Sequence, residues 1–195
     1  MNEVVNNIMT RRSIRKFKAV QVPNELLKAV LDAGTYAPLG SFGEKAPYKI
    51  TAINNKEKVE WVNSVTNKAL VNIKVDDSTN SRLLKPIERA KQGNAEFLLN
   101  APVFIFITNE VYENAMADCS CVIENIMLAA NSVGFGTCWI NIFSRLNDCP
   151  EIKAMLGELA IPAEHKAYGC IALGYPDMEI PAAPKRPEGL CRIVE

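Results

Sequence analysis

Three guanidinium groups and a hydroxyl fall within five residues at Arg11-Arg12-Ser13-Ile14-Arg15. Each guanidinium is a planar fork of N–H donors that meets phosphate oxygens two at a time. The pentapeptide therefore has the donor chemistry to hold a phosphate dianion. The chain around it is neutral, with 22 Lys and Arg against 22 Asp and Glu. Its positive charge is thus local, and no bulk field draws the chain to nucleic acid or to an anionic membrane. The same residues also suit the solvated end of a short amphipathic helix over Val4–Met9, since basic side chains are favoured at a helix C-terminus. On these five residues both readings stand.

The other reactive side chains are sparse. No G-x-G-x-x-G or G-x-x-x-x-G-K-[ST] run occurs, so dinucleotide and P-loop binding lack their usual mark. No serine sits in a nucleophile elbow. The single histidine, His165, has no acid placed to make a dyad and reads as a residue at the surface or at the start of a strand. The six cysteines lie between Cys119 and Cys191 at irregular spacing. Cys119-Ser120-Cys121 has one intervening residue where zinc pairs have about two to four. Most of the six read as small buried apolar side chains rather than as metal ligands or disulfides. Phosphate-binding groups without a protein nucleophile or base point to a bound cofactor that carries the chemistry, with no catalytic side chain and no metal.

The elements that must position these residues follow from patterning. At 195 residues, 48% apolar and 23% charged, the chain fits one globular domain spanning 1–195. No apolar run nears the roughly 18 residues of a membrane span, and the polar N-terminus lacks a signal-peptide core, so a cytoplasmic protein is expected. A helix is predicted from Val22–Pro23 to Gly34, followed by a loop over Ala37–Gly43. Tyr48–Ile53 alternates as a strand, and Lys56 to about Leu70 has helical spacing. Lys74–Gly93 is polar and reads as a loop joined to a charged helix, either a lid or an insertion. Ala101–Thr108 is a continuous apolar run, as in a strand covered on both faces. Met116–Val133 is apolar on most of its circumference and predicts a helix buried on nearly all sides. Thr137–Ile142, Ile152–Leu159 and Lys166–Leu173 predict a strand, a short helix and a strand. From Asp177 the chain is a proline-rich extended tail. Without a regular βαβ period the expected class is α+β.

Four segments together resemble the FMN-dependent nitroreductase family. Arg11–Arg15 matches its R-x-S-x-R motif after the first helix. Ala37-Pro38-Leu39-Gly40 is similar to its A-P-S-x loop. Gly134-Phe135-Gly136-Thr137-Cys138-Trp139-Ile140 looks like its G-L-G-x-x-W-I segment. Ala172-Leu173-Gly174-Tyr175-Pro176, with the basic Pro184-Lys185-Arg186-Pro187 beyond it, completes the set in the family's order.

The resemblance implies a mixed sheet flanked by helices in a three-layer sandwich, with an extended C-terminal tail. It makes Arg11, Ser13 and Arg15 contacts to FMN, with Arg11 on the phosphate or ribityl chain. Arg15 would stand near the pyrimidine edge, where its charge stabilises negative charge at N1. Arg12 belongs to the same set at the family's variable position, with a solvated charge as its simpler reading. Pro38, Leu39 and Gly40 would line the flavin with backbone groups. Trp139, Ile140, Asn141 and Ile142 would pass beside the ring, with an amide of Asn141 or Ile142 towards N5. Lys185, or Arg186, would close the phosphate site from the tail.

The chain departs from the family at Leu39, where a serine is usual, and at Ala183, where a basic residue is usual. It also departs at Glu44-Lys45-Ala46-Pro47-Tyr48, where the family reads N-x-Q-P-W. The function implied is an oxidoreductase that moves hydride from NADH or NADPH through FMN to a small oxidised acceptor such as a nitroaromatic, quinone or enone. The implied assembly is a homodimer with FMN at the subunit interface. A flavin-binding sensor or storage module without turnover is the alternative.

Overall fold

The computed structural model describes residues 2–40, 47–93 and 95–195. Its centre is a four-stranded sheet of β1 (Tyr48–Ile53), β2 (Val103–Asn109), β3 (Gly136–Ile140) and β4 (Lys166–Gly174). The order is β1-β2-β4-β3, and each of these neighbours is antiparallel. The sheet expected to be mixed is thus antiparallel, and its one parallel neighbour among the described residues is the isolated bridge of Ser13 with Thr137, outside the four strands.

Strand β2 organises the rest. All seven of its residues are buried. Alternation sends Phe104 and Phe106 to one face and Val103, Ile105 and Ile107 to the other, so each face needs its own cover. Phe104 and Phe106 enter one apolar cluster with residues of α3 (Lys56–Asn72), α4 (Ser81–Lys91) and α6 (Pro150–Glu158). There they meet Phe143, of a short 3-10 turn over Phe143–Arg145, with ring centroids 4.9–5.7 Å apart. Val103, Ile105 and Ile107 enter a second cluster with α2 (Asn24–Gly34) and α5 (Ala115–Ser132). The result is helices, sheet, helices: the α+β three-layer arrangement expected.

Local chemistry sets the element ends. Asn55 and Asn80 cap α3 and α4, their side-chain oxygens accepting backbone N–H groups at 2.8 and 3.0 Å. Gly134, at φ +84°, ends α5 in the left-handed region and lets the Phe135 amide return to the Ala130 carbonyl at 2.9 Å. A short first helix, α1 (Glu3–Thr10), buries none of its residues and leaves Val4, Val5, Ile8 and Met9 exposed.

Several expectations need correction. Within the polar stretch 74–93, α4 is neither lid nor insertion, because Leu83, Ile87 and Ala90 are buried in the first cluster. Helix α5 is buried along one stripe rather than all round, with Met116 and Glu124 exposed and Cys121, Leu128 and Ala129 half-buried. The strand expected over Thr137–Ile142 stops at Ile140, and the 3-10 turn begins at Phe143. Only Cys119, Cys138 and Cys170 of the six cysteines are buried, and Cys191 is exposed. His165 does precede a strand, yet it is 8% exposed rather than on the surface.

Two outcomes follow. Phe106→Ala removes one fully buried member of the aromatic trio and is expected to cost about 3–5 kcal/mol in denaturant unfolding. Burial chiefly lowers the pKa of His165. Glu164 and Glu110 oppose that shift, and Lys49 reinforces it. A folded-state pKa below the unfolded one means stability is present above the unfolded value and is lost as pH falls through the folded value. The unfolding midpoint should therefore drop as pH is lowered from about 7 to 5, and His165→Gln should flatten that slope.

Candidate functional site

After α1 the chain runs along β3. The Ile14 amide donates to the Thr137 carbonyl at 2.9 Å, and farther on Lys18 N–H meets the Tyr175 carbonyl at 2.9 Å. Ile14 is buried over Gly136, where a Cβ would stand 2.7 Å from Ile14 Cγ1. Backbone alternation then sends Ser13 and Arg15 to the side opposite Ile14.

The arginines divide. Arg12 Nη1 donates to the carbonyls of Met9 and Arg11 at 2.7 Å, and its Nε donates to the Pro181 carbonyl at 3.2 Å. It caps α1 and clasps the tail, so three of its five N–H donors are taken. Arg15 is exposed, and among the described residues its guanidinium makes one long bond, to the Ser13 carbonyl at 3.4 Å. Arg11 faces Glu124 of α5 at 4.0 Å, a loose pair that leaves most of its donors open. Both charges act on one thiol. Burial raises the pKa of the Cys138 thiol, while Arg15 and then Arg11 pull it down. Two guanidinium groups with spare donors thus extend from the segment that runs along β3, a donor set suited to one multiply charged anion.

The Pro38–Gly40 stretch lies against the start of α5. Leu39 packs on the second apolar cluster, and the Gly40 amide donates to Asp118 Oδ1 at 2.9 Å. Asp118 and Glu124 are six residues apart on α5, about 9 Å along its axis. The helix therefore holds the loop at one point and meets Arg11 at the next. At the end of β3, Ile140 and Ile142 pack on the first cluster, and Asn141 is exposed. Its carbonyl accepts from Arg145 Nη1 at 2.7 Å and from Ser144 Oγ at 2.9 Å. Trp139 points the other way, against the α2/α5 cluster, close enough to Gly169 that a Cβ there would stand 2.7 Å from the indole Nε1. That Nε1 is buried without a hydrogen-bond partner.

The structure brings Arg11, Ser13 and Arg15 to β3 and sets Pro38–Gly40 on the helix that contacts Arg11. It does not bring in Lys185 and Arg186. Both are exposed on the tail, with no hydrogen bond or ion pair to the arginine segment among the described residues. Of the divergent Glu44–Tyr48 segment, residues 44–46 lie outside the described residues. Motif spacing missed Asp118, which bonds across the fold to Gly40, and Tyr112 and Arg145, which bond Asp118 and the Asn141 carbonyl. It also missed Glu110, Glu164 and His165, whose ligand atoms lie within 4.8 Å of one another where β2 ends and β4 begins. His165 Nδ1 there lies 3.1 Å from Thr108 Oγ1.

The same fold occurs in known proteins. The profile of the nitroreductase family matches residues 8–175. A crystal structure of a nitroreductase with bound FMN from Bacteroides fragilis superposes with TM-score 0.88 at 36% identity, covering 100% of both chains. A nitroreductase with bound FMN from Desulfitobacterium hafniense shares the fold, with TM-score 0.72 at 22% identity and full coverage of both chains. The NADPH-flavin oxidoreductase of Vibrio harveyi is 25% identical over 187 residues, which are 96% of this chain and 71% of that protein. With its three-layer fold and its arginine segment paired to β3, the chain belongs to the nitroreductase family.

Proposed function

We propose that this chain binds FMN between the Arg11–Arg15 segment, the Pro38–Gly40 loop and the Trp139–Ile142 end of β3, and that it is a flavoprotein oxidoreductase. It takes hydride from NADH or NADPH and delivers it to a small oxidised acceptor, of the nitroaromatic, quinone or enone class. The observation that carries the reading is the division of the arginine cluster. Arg12 is committed to α1 and the tail, whereas Arg11 and Arg15 keep open forks on the segment that runs along β3. The FMN bound by the Bacteroides fragilis relative supports the choice of anion.

When bound, FMN supplies the two-electron chemistry, which the protein's own side chains lack. Arg11 and Arg15 supply charge to the phosphate and to the electron-rich edge of the ring. Ser13 adds a hydroxyl donor between them. The backbone of Pro38–Gly40 and the amides of Asn141 and Ile142 orient the ring. Lys185 or Arg186 joins the site when the tail folds over it.

The assembly is a homodimer with the cofactor at its interface. The apolar face of α1, Tyr36 at 84% exposure, and a recess lined by Val4, Ile8, Leu128 and Ala129 leave contiguous apolar surface uncovered. The tail from Asp177 onward is exposed apart from the half-buried Met178, with Ile180, Leu190, Ile193 and Val194 among its uncovered residues. A second copy covers both. No helix among the described residues is long and apolar enough to cross a membrane. All six cysteines are free, which fits a reducing, cytoplasmic location.

Purified protein is expected to be yellow, with a flavin spectrum released on denaturation. Anaerobic mixing with NADH or NADPH should bleach it within seconds. Colourless protein that takes up no FMN refutes the reading, and flavin that neither nicotinamide bleaches identifies a sensor or storage module. Arg15→Ala should weaken FMN binding at least about tenfold and Arg12→Ala less than about threefold; equal losses would place the wrong arginine at the ligand. Light scattering should give a dimer, and removing the exposed tail from Asp177 should shift the protein towards monomer and reduce FMN retention.

A further inference from the structure

Asp118 is a carboxylate buried to 4% exposure in the first turn of α5, and no cofactor contact proposed above uses it. Its Oδ1 accepts the Gly40 amide N–H at 2.9 Å and its Oδ2 accepts the Tyr112 hydroxyl. Removing an ionised carboxylate from water is costly unless donors meet its oxygens. The positions of Asp118, the loop and the Tyr112 turn are therefore linked. The first turn of a helix favours the negative charge as well.

The loop is pinned at two consecutive residues by different forces. Leu39 is held by apolar packing and Gly40 by a charge-assisted hydrogen bond. The fit at Gly40 is close, since a Cβ there would stand 3.0 Å from Asn114 Nδ2. Pro38, just before the pinned pair, is exposed. On the other side of Asp118, burial and then the bond to Asp118 push the Tyr112 hydroxyl up to about 12, so it remains a proton donor throughout the working pH range.

We propose that Asp118 is a positioning residue for the flavin site: by holding the Gly40 amide against α5 it fixes the backbone that Pro38–Gly40 presents to the ring. This rests on the FMN reading above. The bond spans 78 positions of sequence and belongs to none of the four motif segments.

The test compares wild type with Asp118→Ala, Asp118→Asn and Tyr112→Phe in the full chain. It reads FMN affinity by flavin fluorescence, the visible circular dichroism of bound flavin, and the thermal midpoint. Asp118→Ala should raise the FMN Kd at least about tenfold and alter the visible dichroism. Asp118→Asn keeps an oxygen that can accept from Gly40 and should restore both to within about threefold of wild type, as should Tyr112→Phe.

A folded Asp118→Ala protein whose Kd lies within about twofold of wild type, with unchanged dichroism, overturns the proposal whatever its thermal midpoint. Asp118→Asn as damaging as Asp118→Ala also overturns it. Should Asp118→Ala fail to fold, Asp118→Leu removes both acceptor oxygens at similar side-chain volume and leaves the loop sequence unchanged, and the same limits decide. Wild type without FMN affinity refutes the flavin reading itself; tight wild-type binding with an indifferent Asp118→Ala refutes only the role of Asp118.

Discussion

A strand with no solvent face is the constraint on which the rest of the molecule depends. Because β2 buries Phe104 and Phe106 on one side and Val103, Ile105 and Ile107 on the other, the sheet is stable only with helices on both faces. That requirement places α5 across the sheet. Once α5 is there, its first turn lies under the Pro38–Gly40 loop and its middle faces Arg11. The two segments are far apart in sequence, and one helix, fixed by apolar packing, contacts both.

The two layers divide the labour at β3. Cys138 and Ile140 turn towards the α3/α6 side, while Trp139 turns towards α5. The arginine segment adds itself along the edge of β3 through backbone bonds, so its side chains inherit the same alternation. An edge strand normally exposes unpaired backbone groups. Here the edge is occupied by the residues that supply positive charge, and one structural device both closes the sheet and builds the donor set.

What the sequence disclosed followed the range of the interactions. Tyr48–Ile53 and the β2 run were legible because alternation and continuous apolarity are local consequences of burial. The Asn24–Gly34 helix was legible through Pro23 and Gly34. The donor chemistry of Arg11–Arg15 could be read in five residues, and the separate course of Arg12 emerged from its bonds to Met9, Arg11 and Pro181. The role of stretch 74–93 could not, because Leu83, Ile87 and Ala90 are too widely spaced among charges to stand out before a neighbouring helix gathers them. The half-exposed state of α5 was hidden for the opposite reason: composition reports how apolar a helix is and not which of its faces are covered. Asp118 and His165 depend on partners in other elements, so no local pattern identifies them.

The contact between Ile14 and Gly136 has a consequence for how the anion-binding segment can be reused. Ile14 occupies the space that a side chain at 136 would fill, and its amide is bonded one residue away, at Thr137. The peg and its socket are therefore one module. An arginine ribbon transplanted onto the edge of another sheet would need the bare glycine as well as the isoleucine, or its register would slip by a residue and turn both guanidinium groups into the wrong half-space.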